Sequence, residues 1–360
     1  GQLLKPKGIA AVVLPSSILS NTSNSYVAAR EQILQNFFLR AIVCLGSNTF
    51  GETGTNTVIL FMEKYNEPPR FANLQKDIVD GIMNTGTSGE WADDEILTSY
   101  TNMQNVPLDK YLEFLNRQLD TEIILDIPYL KQYWEDFDFD QLKIPKNLTA
   151  EEETQYKRTK FFDYSIDRER DKLYYYCLAY GQQKLVVTSP SDNKEQKDFL
   201  GYSWSKRKGN EGIKIEKPGG CLYNELNRTA RGTISCAVRN IFDKATTRLD
   251  DKLQKYIEYY PLTQLLDFAR IKFDKSIRTT IIAQEAIVSK FKTTSLGKIA
   301  TLYRGVTYSK ENQSSKPTSN TILTADNITL EGHFEVKKVI YVDAQLSFDE
   351  TKQLKQDDIF

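Results

Sequence analysis

Three short apolar runs around one helical pattern fill the first 65 residues, and that order constrains the fold more than any other feature. Residues 8–14 (GIAAVVL) are continuously apolar, rich in β-branched side chains and closed by Pro15. Such a run suits a strand buried on both faces. From Ser25 the spacing changes: Tyr26, Ala29, Ile33 and Phe37 recur at helical intervals, with Arg30, Glu31, Gln32, Gln35 and Asn36 between them. Ser25 is placed to cap that helix. Residues 41–45 (AIVCL) and 57–62 (TVILFM) read as two further buried strands. Strand, helix, strand, loop, strand is the signature of a layered α/β sheet.

Regular apolar patterning then lapses over residues 66–91, which hold Pro68-Pro69 and a polar stretch of Gly, Thr and Ser. Residues 109–250 are charged, aromatic-rich and mainly helical in character. A strand at 184–188 (KLVVT) and a Gly-rich loop over 207–220 interrupt them. A long amphipathic stretch is expected over 253–291, with Leu265, Phe268, Ile271, Ile281, Ile282 and Ile287 as its apolar positions. Pro261 either kinks this stretch or starts a new helix. Short alternating runs at 322–328 and 336–342 make the last part β-rich. The expected organisation is 1–65, 66–293 and 294–360, with no internal repeat. The chain opens at Gly1 only a few residues before a buried-strand pattern and stops at Asp357-Asp358-Ile359-Phe360, which reads as the inside of another strand, as expected of a trimmed or proteolysed piece of a longer chain.

Composition narrows the chemistry. The net charge of −1 gives no global basic field, although positive potential confined to one groove still suits DNA. Cys44, Cys177, Cys221 and Cys236 show no CxxC pairing, and His333 is the single histidine. That set is poor material for a zinc site and for Ser-His-Asp or Cys-His hydrolysis. The cysteines read as reduced thiols in or near cores. No apolar run approaches the ~20 residues of a membrane span and no signal-peptide pattern is visible, so the chain reads as cytoplasmic in type.

The opening segment, KPKGIAAVVLPSSIL…REQIL…RAIVCLGSNTFGETGTNTVILFMEKY, resembles the last part of the catalytic domain of N6-adenine DNA methyltransferases. The likeness is greatest to modification subunits of Type I restriction-modification systems and to fused enzymes related to them. In that family a G-aliphatic-VLP strand precedes a helix, a strand, a loop F-x-x-T-G-x-x-T and a last apolar strand. The loop pattern falls here on Phe50, Thr53, Gly54 and Thr57. KLYYYCLAY followed by FLGYSWSKRKGNEGIK (199–214) looks like the linking region of Type I modification subunits. LGKIATLYRGVTYSK…ILTADNIT (296–329) is similar to the start of a target-recognition domain in Type I specificity subunits.

The resemblance implies an α/β + α chain: the closing strands of a Rossmann-like methyltransferase sheet, a mainly helical middle, and the start of an α/β target-recognition domain. It implies a site-specific DNA adenine methyltransferase as the parent enzyme, with double-stranded DNA as substrate and S-adenosylmethionine as methyl donor. Specificity and restriction subunits, or fused equivalents, are the implied partners. The family's donor-binding turn and its Asn/Asp-Pro-Pro-Tyr/Phe tetrapeptide lie upstream of the strand at 8–14. The nearest imitation here, Asn66-Glu67-Pro68-Pro69-Arg70-Phe71, has an inserted Glu and reads as a Pro-Pro turn. The piece by itself is therefore expected neither to bind the donor tightly nor to methylate DNA. The alternative is a DNA-recognition and scaffold module without catalysis of its own, and an unrelated α/β enzyme with a helical insertion is a third reading.

Candidate residues follow from the same likeness. Enzymes that act on adenine N6 flip the base out and stack it on an aromatic ring, a role that falls on Phe50; the plainer reading is a loop-anchoring phenylalanine. Thr53 and Asn56 would either hydrogen-bond the base or stabilise the turn. Lys206, Arg207 and Lys208, beside Gly209, suit phosphate contacts as well as a solvated loop, with Tyr202 and Trp204 next to them read as packing residues. Arg304, Tyr308 and Lys310 belong to a loop that lies near DNA in resembling specificity domains, where Arg can read guanine, or they are generic surface. Asp326-Asn327 reads as a turn cap.

Overall fold

In a computed structural model, the described residues are 3–46, 49, 55–68, 70–86, 93–204, 212–245, 248–280, 301, 305–306, 308–324, 327, 339–343, 349 and 353. Contacts divide the chain into two units, Gly1–Ile282 and Ala283–Phe360. The first opens with β1 (Ile9–Pro15), a one-turn helix α1 (Ser17–Ser20) and α2 (Asn24–Asn36), which runs straight into β2 (Phe37–Gly46). β3 (Thr57–Lys64) follows, and then α3 (Arg70–Thr85), α4 (Asp93–Met103), α5 (Leu108–Leu115), α6 (Thr121–Asp126), α7 (Pro128–Asp136) and α8 (Ala150–Ala179). Next come β4 (Gln183–Thr188), α9 (Asn193–Leu200) and a hairpin of β5 (Tyr202–Trp204) with β6 (Ile213–Ile215). α10 (Ile234–Asp243), α11 (Asp251–Gln254), β7 (Ile257–Pro261) and α12 (Leu262–Leu265) complete the unit.

Five strands form one mixed sheet in the order β1-β3-β2-β4-β7. β3 is antiparallel to both β1 and β2, β4 is parallel to β2, and β7 is antiparallel to β4. The continuous apolar runs of β2 and β3 have a simple cause: both faces are covered. Leu39, Ile42, Val58, Leu60 and Met62 enter a core shared with α2–α8. Ala41, Val43, Leu45, Leu185 and Val187 enter a second core with Phe199, Ala237, Val238 and Ile257. A register shift between Leu39 and Ala41 inserts one residue, so Arg40 can leave the apolar alternation and pair with Glu63 at 2.7 Å.

The apolar run at 8–14 is not buried on both faces. β1 is the sheet's edge, and Ile9, Val12 and Val13 are 56, 38 and 48% exposed. Only Ala10 and Leu14 pack on the helical core. An apolar run shows that a strand is built to be covered; it does not say that the cover lies within the same segment, and among the described residues the helical middle does not supply it. The cap of α2 is Ser23 rather than Ser25. Arg30, read as one of the polar residues between apolar positions, is fully buried: it donates to Ile18 O at 3.0 Å and to Asp274 O at 2.7 Å. A guanidinium spends its five donors on carbonyls where no apolar side chain could satisfy them.

The expected long helix over 253–291 is also absent up to residue 280. Ile257, Tyr259 and Tyr260 are strand formers and lie in β7, whose ladder to β4 runs from Gln183↔Pro261 to Val187↔Ile257. Pro261 ends the ladder, α12 makes one turn, and 266–280 is irregular apart from the bridge Leu266↔Ile277. Residues 281–291 lie outside the described residues.

α8 is the spine of the helical layer. Thr149 caps it with a reciprocal capping box to Glu152. Midway, the fully buried Glu169 carboxylate accepts hydroxyl hydrogen bonds from Tyr100 (2.9 Å), Tyr111 (2.7 Å), Tyr129 (2.6 Å) and Tyr133. Lys172, one turn on and equally buried, lies 3.6 Å from Glu169 and donates to the Tyr129 hydroxyl at 2.9 Å. The tyrosines come from α4, α5 and α7, so a single carboxylate ties three helices to α8. Burial lowers the Lys172 ammonium pKa against the pull of Glu169, and burial together with the Glu169 charge holds the four phenols well above their ordinary range.

In the second unit, β8 (Gln313–Ser314), β9 (Asn320–Ile322) and β10 (Ile340–Val342) form a small antiparallel sheet in the order β8-β10-β9. Val342 on β10 is fully buried.

Candidate nucleic-acid interface

Strand direction gathers several chain ends on one edge of the large sheet. β1, β2 and β4 run the same way, so Pro15, Gly46 and Thr188 end together, and Thr57 and Ile257 begin β3 and β7 beside them. In open α/β sheets, ligands bind outside the carboxyl ends of the strands. In sequence, residues 47–56 join β2 to β3, and of them Thr49, Thr55 and Asn56 are described.

Both stems of this loop are fixed. At the far end Ser16 N–H, just past β1, donates to Asn56 O at 2.8 Å. At the near end the buried Thr49 hydroxyl donates to Gly46 O at 3.0 Å, and the Gln196 amide of α9 donates to Leu45 O at 3.2 Å. Gly46 has φ +79, and a Cβ there would meet the Ser189 hydroxyl at 2.6 Å and collide with the Gln196 amide; only glycine fits. From the hairpin, Tyr202 donates its hydroxyl to Thr49 O at 2.9 Å. Strand β5 of the hairpin is thus anchored on Thr49, in the connection between β2 and β3.

Of the site residues expected from sequence, Asn56 is exposed at the loop's end, Tyr308 is half-buried, and Lys310 opens a 3-10 turn in the second unit (Lys310–Asn312). Phe50, Thr53, Lys206, Arg207, Lys208 and Arg304 lie outside the described residues, as does the side chain of Lys310. Asn327 closes a turn, its side chain accepting from Thr324 N–H at 3.0 Å. Tyr202, Thr49 and Gln196 are contributors that the sequence reading missed. Tyr202 stood only as a packing residue, and no local pattern announces a hydroxyl bond across 153 positions.

Two of the buried polar atoms without a hydrogen-bond partner among the described residues are Thr57 Oγ1, at the start of β3 on this edge, and Trp204 Nε1, at the end of β5 in the hairpin. Unpaired buried donors are uncommon and costly. Cys44, near the end of β2, is held up to about 11 by burial, eased by a hydrogen bond with Thr279; at neutral pH it is a thiol, not a nucleophile. Among the described residues no three His, Cys, Asp or Glu lie close enough to hold a metal ion, and no helix is long and apolar enough to cross a membrane.

A cleft of about 640 Å³ lies elsewhere, between α2, α3, α8 and residues 271–273. Part of its charge is spent internally: Arg170 pairs with Asp80 at 2.5 Å, and Asp171 pairs with Lys275 at 2.7 Å. Size alone does not make it the site.

Residues 2–90 match the family model of N-6 DNA Methylase. That span holds β1, α1, α2, β2, β3 and α3 and includes the loop at the carboxyl edge. The match supports a DNA adenine methyltransferase role, with DNA as the substrate that such a family implies and S-adenosylmethionine as the donor it normally uses. No curated protein matches the chain. The described residues do not fit the methyl donor. After β1 the chain turns through Pro15-Ser16 with no glycine cradle, and Gly46, the glycine described at the edge, faces side chains of the protein itself.

Proposed function

We propose that the chain is part of a site-specific DNA adenine-N6 methyltransferase of a restriction-modification system, supplying target-base stacking and DNA contacts. The observation that carries this is the tie between Tyr202 and Thr49, which joins the hairpin to the β2–β3 connection, a segment inside the N-6 DNA Methylase match and at the carboxyl edge of the sheet. Phe50 stacks the flipped adenine, Thr53 and Asn56 contact it or hold the turn, and Lys206, Arg207 and Lys208 neutralise nearby phosphates. The orphaned Thr57 hydroxyl gives a polar ligand a partner at the same edge.

On this reading residues 1–65 close a Rossmann-like sheet, 66–293 connect and contact DNA, and 294–360 begin a target-recognition domain of the Type I specificity kind. Arg304, Tyr308 and Lys310 then lie near the recognised DNA. The donor site belongs to sheet strands outside this chain, which agrees with β1 being an open edge. A thermal-shift titration tests both parts. Duplex DNA raises the unfolding midpoint of this chain and S-adenosylmethionine does not, since only a ligand of the native state stabilises it. A clear shift with the donor would refute the assignment of its site to another segment.

A further inference from the structure

Residues 201–248 carry ten Lys or Arg against four Asp or Glu, in a chain whose net charge is −1. Among the described residues of that stretch the excess is seven against three, and it belongs to the layer over the second sheet face, where Phe199, Leu200, Ile234, Ala237 and Val238 are buried against Leu185 and Val187. With its apolar side chains committed to the sheet, the layer turns its charges outward. Lys217, Arg228, Arg231 and Lys244 are exposed and Arg239 is half-buried.

Hydrogen bonds put these cations on one scaffold. Ile234 and Ser235 N–H donate to Cys221 O and Leu222 O at 2.8 and 2.9 Å, fastening the preceding loop to the first turn of α10. Arg239, on α10, donates to Arg228 O at 2.7 Å, and Asp250 N–H to Arg231 O at 3.2 Å. Lys244 ends α10 in a left-handed conformation, φ +51. Neighbouring cations have counter-charges: Lys214 with Glu216 (3.0 Å), Arg248 with Asp251 (3.5 Å), Lys255 with Glu195 (3.6 Å). Among the described residues no carboxylate pairs with Lys217, Arg228, Arg231, Arg239 or Lys244. Uncompensated like charges on one surface repel each other and raise the local potential for a polyanion. In the same loop Tyr223 and Leu226 are 47 and 99% exposed, apolar groups suited to the sugar edge between phosphates.

We infer that the loop at 217–231 together with α10 binds the phosphate backbone of duplex DNA, as a sequence-independent surface beyond the base-stacking loop. The identity of the polyanion rests on the methyltransferase reading; the surface itself does not. α10 has ten residues and is about 15 Å long, a length over which a duplex presents roughly nine phosphates, enough for every cation named. α9 leads directly into β5, whose Tyr202 is bonded to Thr49, so a duplex lying over the carboxyl edge has this surface on the adjoining layer.

Fluorescence anisotropy with a labelled random-sequence duplex over a salt series tests it. The variant Arg228→Gln/Arg231→Gln/Lys244→Gln leaves the Arg239 tie intact and keeps the wild-type melting midpoint. It binds at least ten-fold more weakly at low salt, with the slope of log K against log salt reduced by about 2–3, at ~0.9 per phosphate contact. Lys131→Gln/Lys143→Gln/Lys146→Gln, exposed cations of the helical layer, retains affinity and slope. If the first variant keeps both affinity and slope while Lys206→Gln/Arg207→Gln/Lys208→Gln loses them, the surface is refuted and the DNA reading stands. No duplex binding by the wild type refutes both, and tighter binding of single-stranded RNA or an acidic peptide refutes the choice of duplex DNA.

Discussion

Tyr202 on the hairpin donates its hydroxyl to the main-chain carbonyl of Thr49, 2.9 Å away. The bond joins two segments 153 residues apart, one carrying Phe50 and the other carrying Lys206, Arg207 and Lys208. Tyr202→Phe keeps the ring and removes the bond. It should lower stability by about 1 kcal/mol in urea unfolding and weaken duplex binding more than that loss of fold explains. Full duplex affinity in Tyr202→Phe would show that hairpin and loop act separately.

Glu169 is a second tie of this kind, deeper and costlier to disturb. Four buried phenols and Lys172 converge on it. Glu169→Ala leaves a buried ammonium without its counter-charge and four hydroxyls without their carboxylate acceptor, and should cost roughly 3–5 kcal/mol. Any one tyrosine changed to Phe removes a single bond to the carboxylate and should cost about 1.5–3 kcal/mol. Chemical denaturation distinguishes the two scales; equal, small losses would mean that the cluster is wetter than its burial indicates.

Lys184 gives the chain a pH signature. Its side chain is fully buried on β4, donates to Gln182 Oε1 at 2.6 Å, and is pushed down to about 7 by burial, with Arg40 adding repulsion. The unfolded lysine titrates near 10.4, so between pH 7 and 10 the unfolded state holds a proton that the folded state has lost. Stability therefore climbs with pH from 7 upward, and the penalty of burying the charge is fully present below 7. The Cys44 thiol, raised to about 11, opposes this above roughly pH 8.5, so the window to follow is pH 7 to 8.5. Lys184→Met should flatten the climb and stabilise the chain at pH 6 by a few kcal/mol (roughly 2–4). A pH profile unchanged by Lys184→Met would contradict the assignment.

The open edge of β1 has a consequence in solution. Seven residues without a charged side chain present unpaired backbone groups, and such edges recruit further strands. Sedimentation should show concentration-dependent association of the chain, relieved by Val13→Lys at the same melting midpoint. Association that survives Val13→Lys would place the contact elsewhere.

Much of the sheet was legible because strand interiors obey a local rule. Residues 41–45, 57–62 and 184–188 announced β2, β3 and β4 by apolar content alone. What failed was relational. Nothing within residues 8–14 says that β1 lies at an edge, and nothing around Ile257 says that a partner on β4 waits to turn an amphipathic stretch into a ladder. Arg30 and Glu169 look like surface charges on helices until distant carbonyls and phenols arrive to satisfy them. The strands on either side of residues 47–56 were legible, whereas the anchor Tyr202 was not, since its bond to Thr49 exists only once the hairpin has folded against the β2–β3 connection.

The central claim is that this loop works on adenine in DNA. The direct measurement is the nucleoside content of genomic DNA from a host without adenine methylation that expresses the gene carrying this chain. N6-methyldeoxyadenosine should accumulate with the wild type and fall about 10- to 100-fold with Phe50→Ala at equal expression, since base–aromatic stacking contributes roughly 1–3 kcal/mol. No N6-methyldeoxyadenosine from the wild type, or an undiminished amount from Phe50→Ala, would contradict the claim.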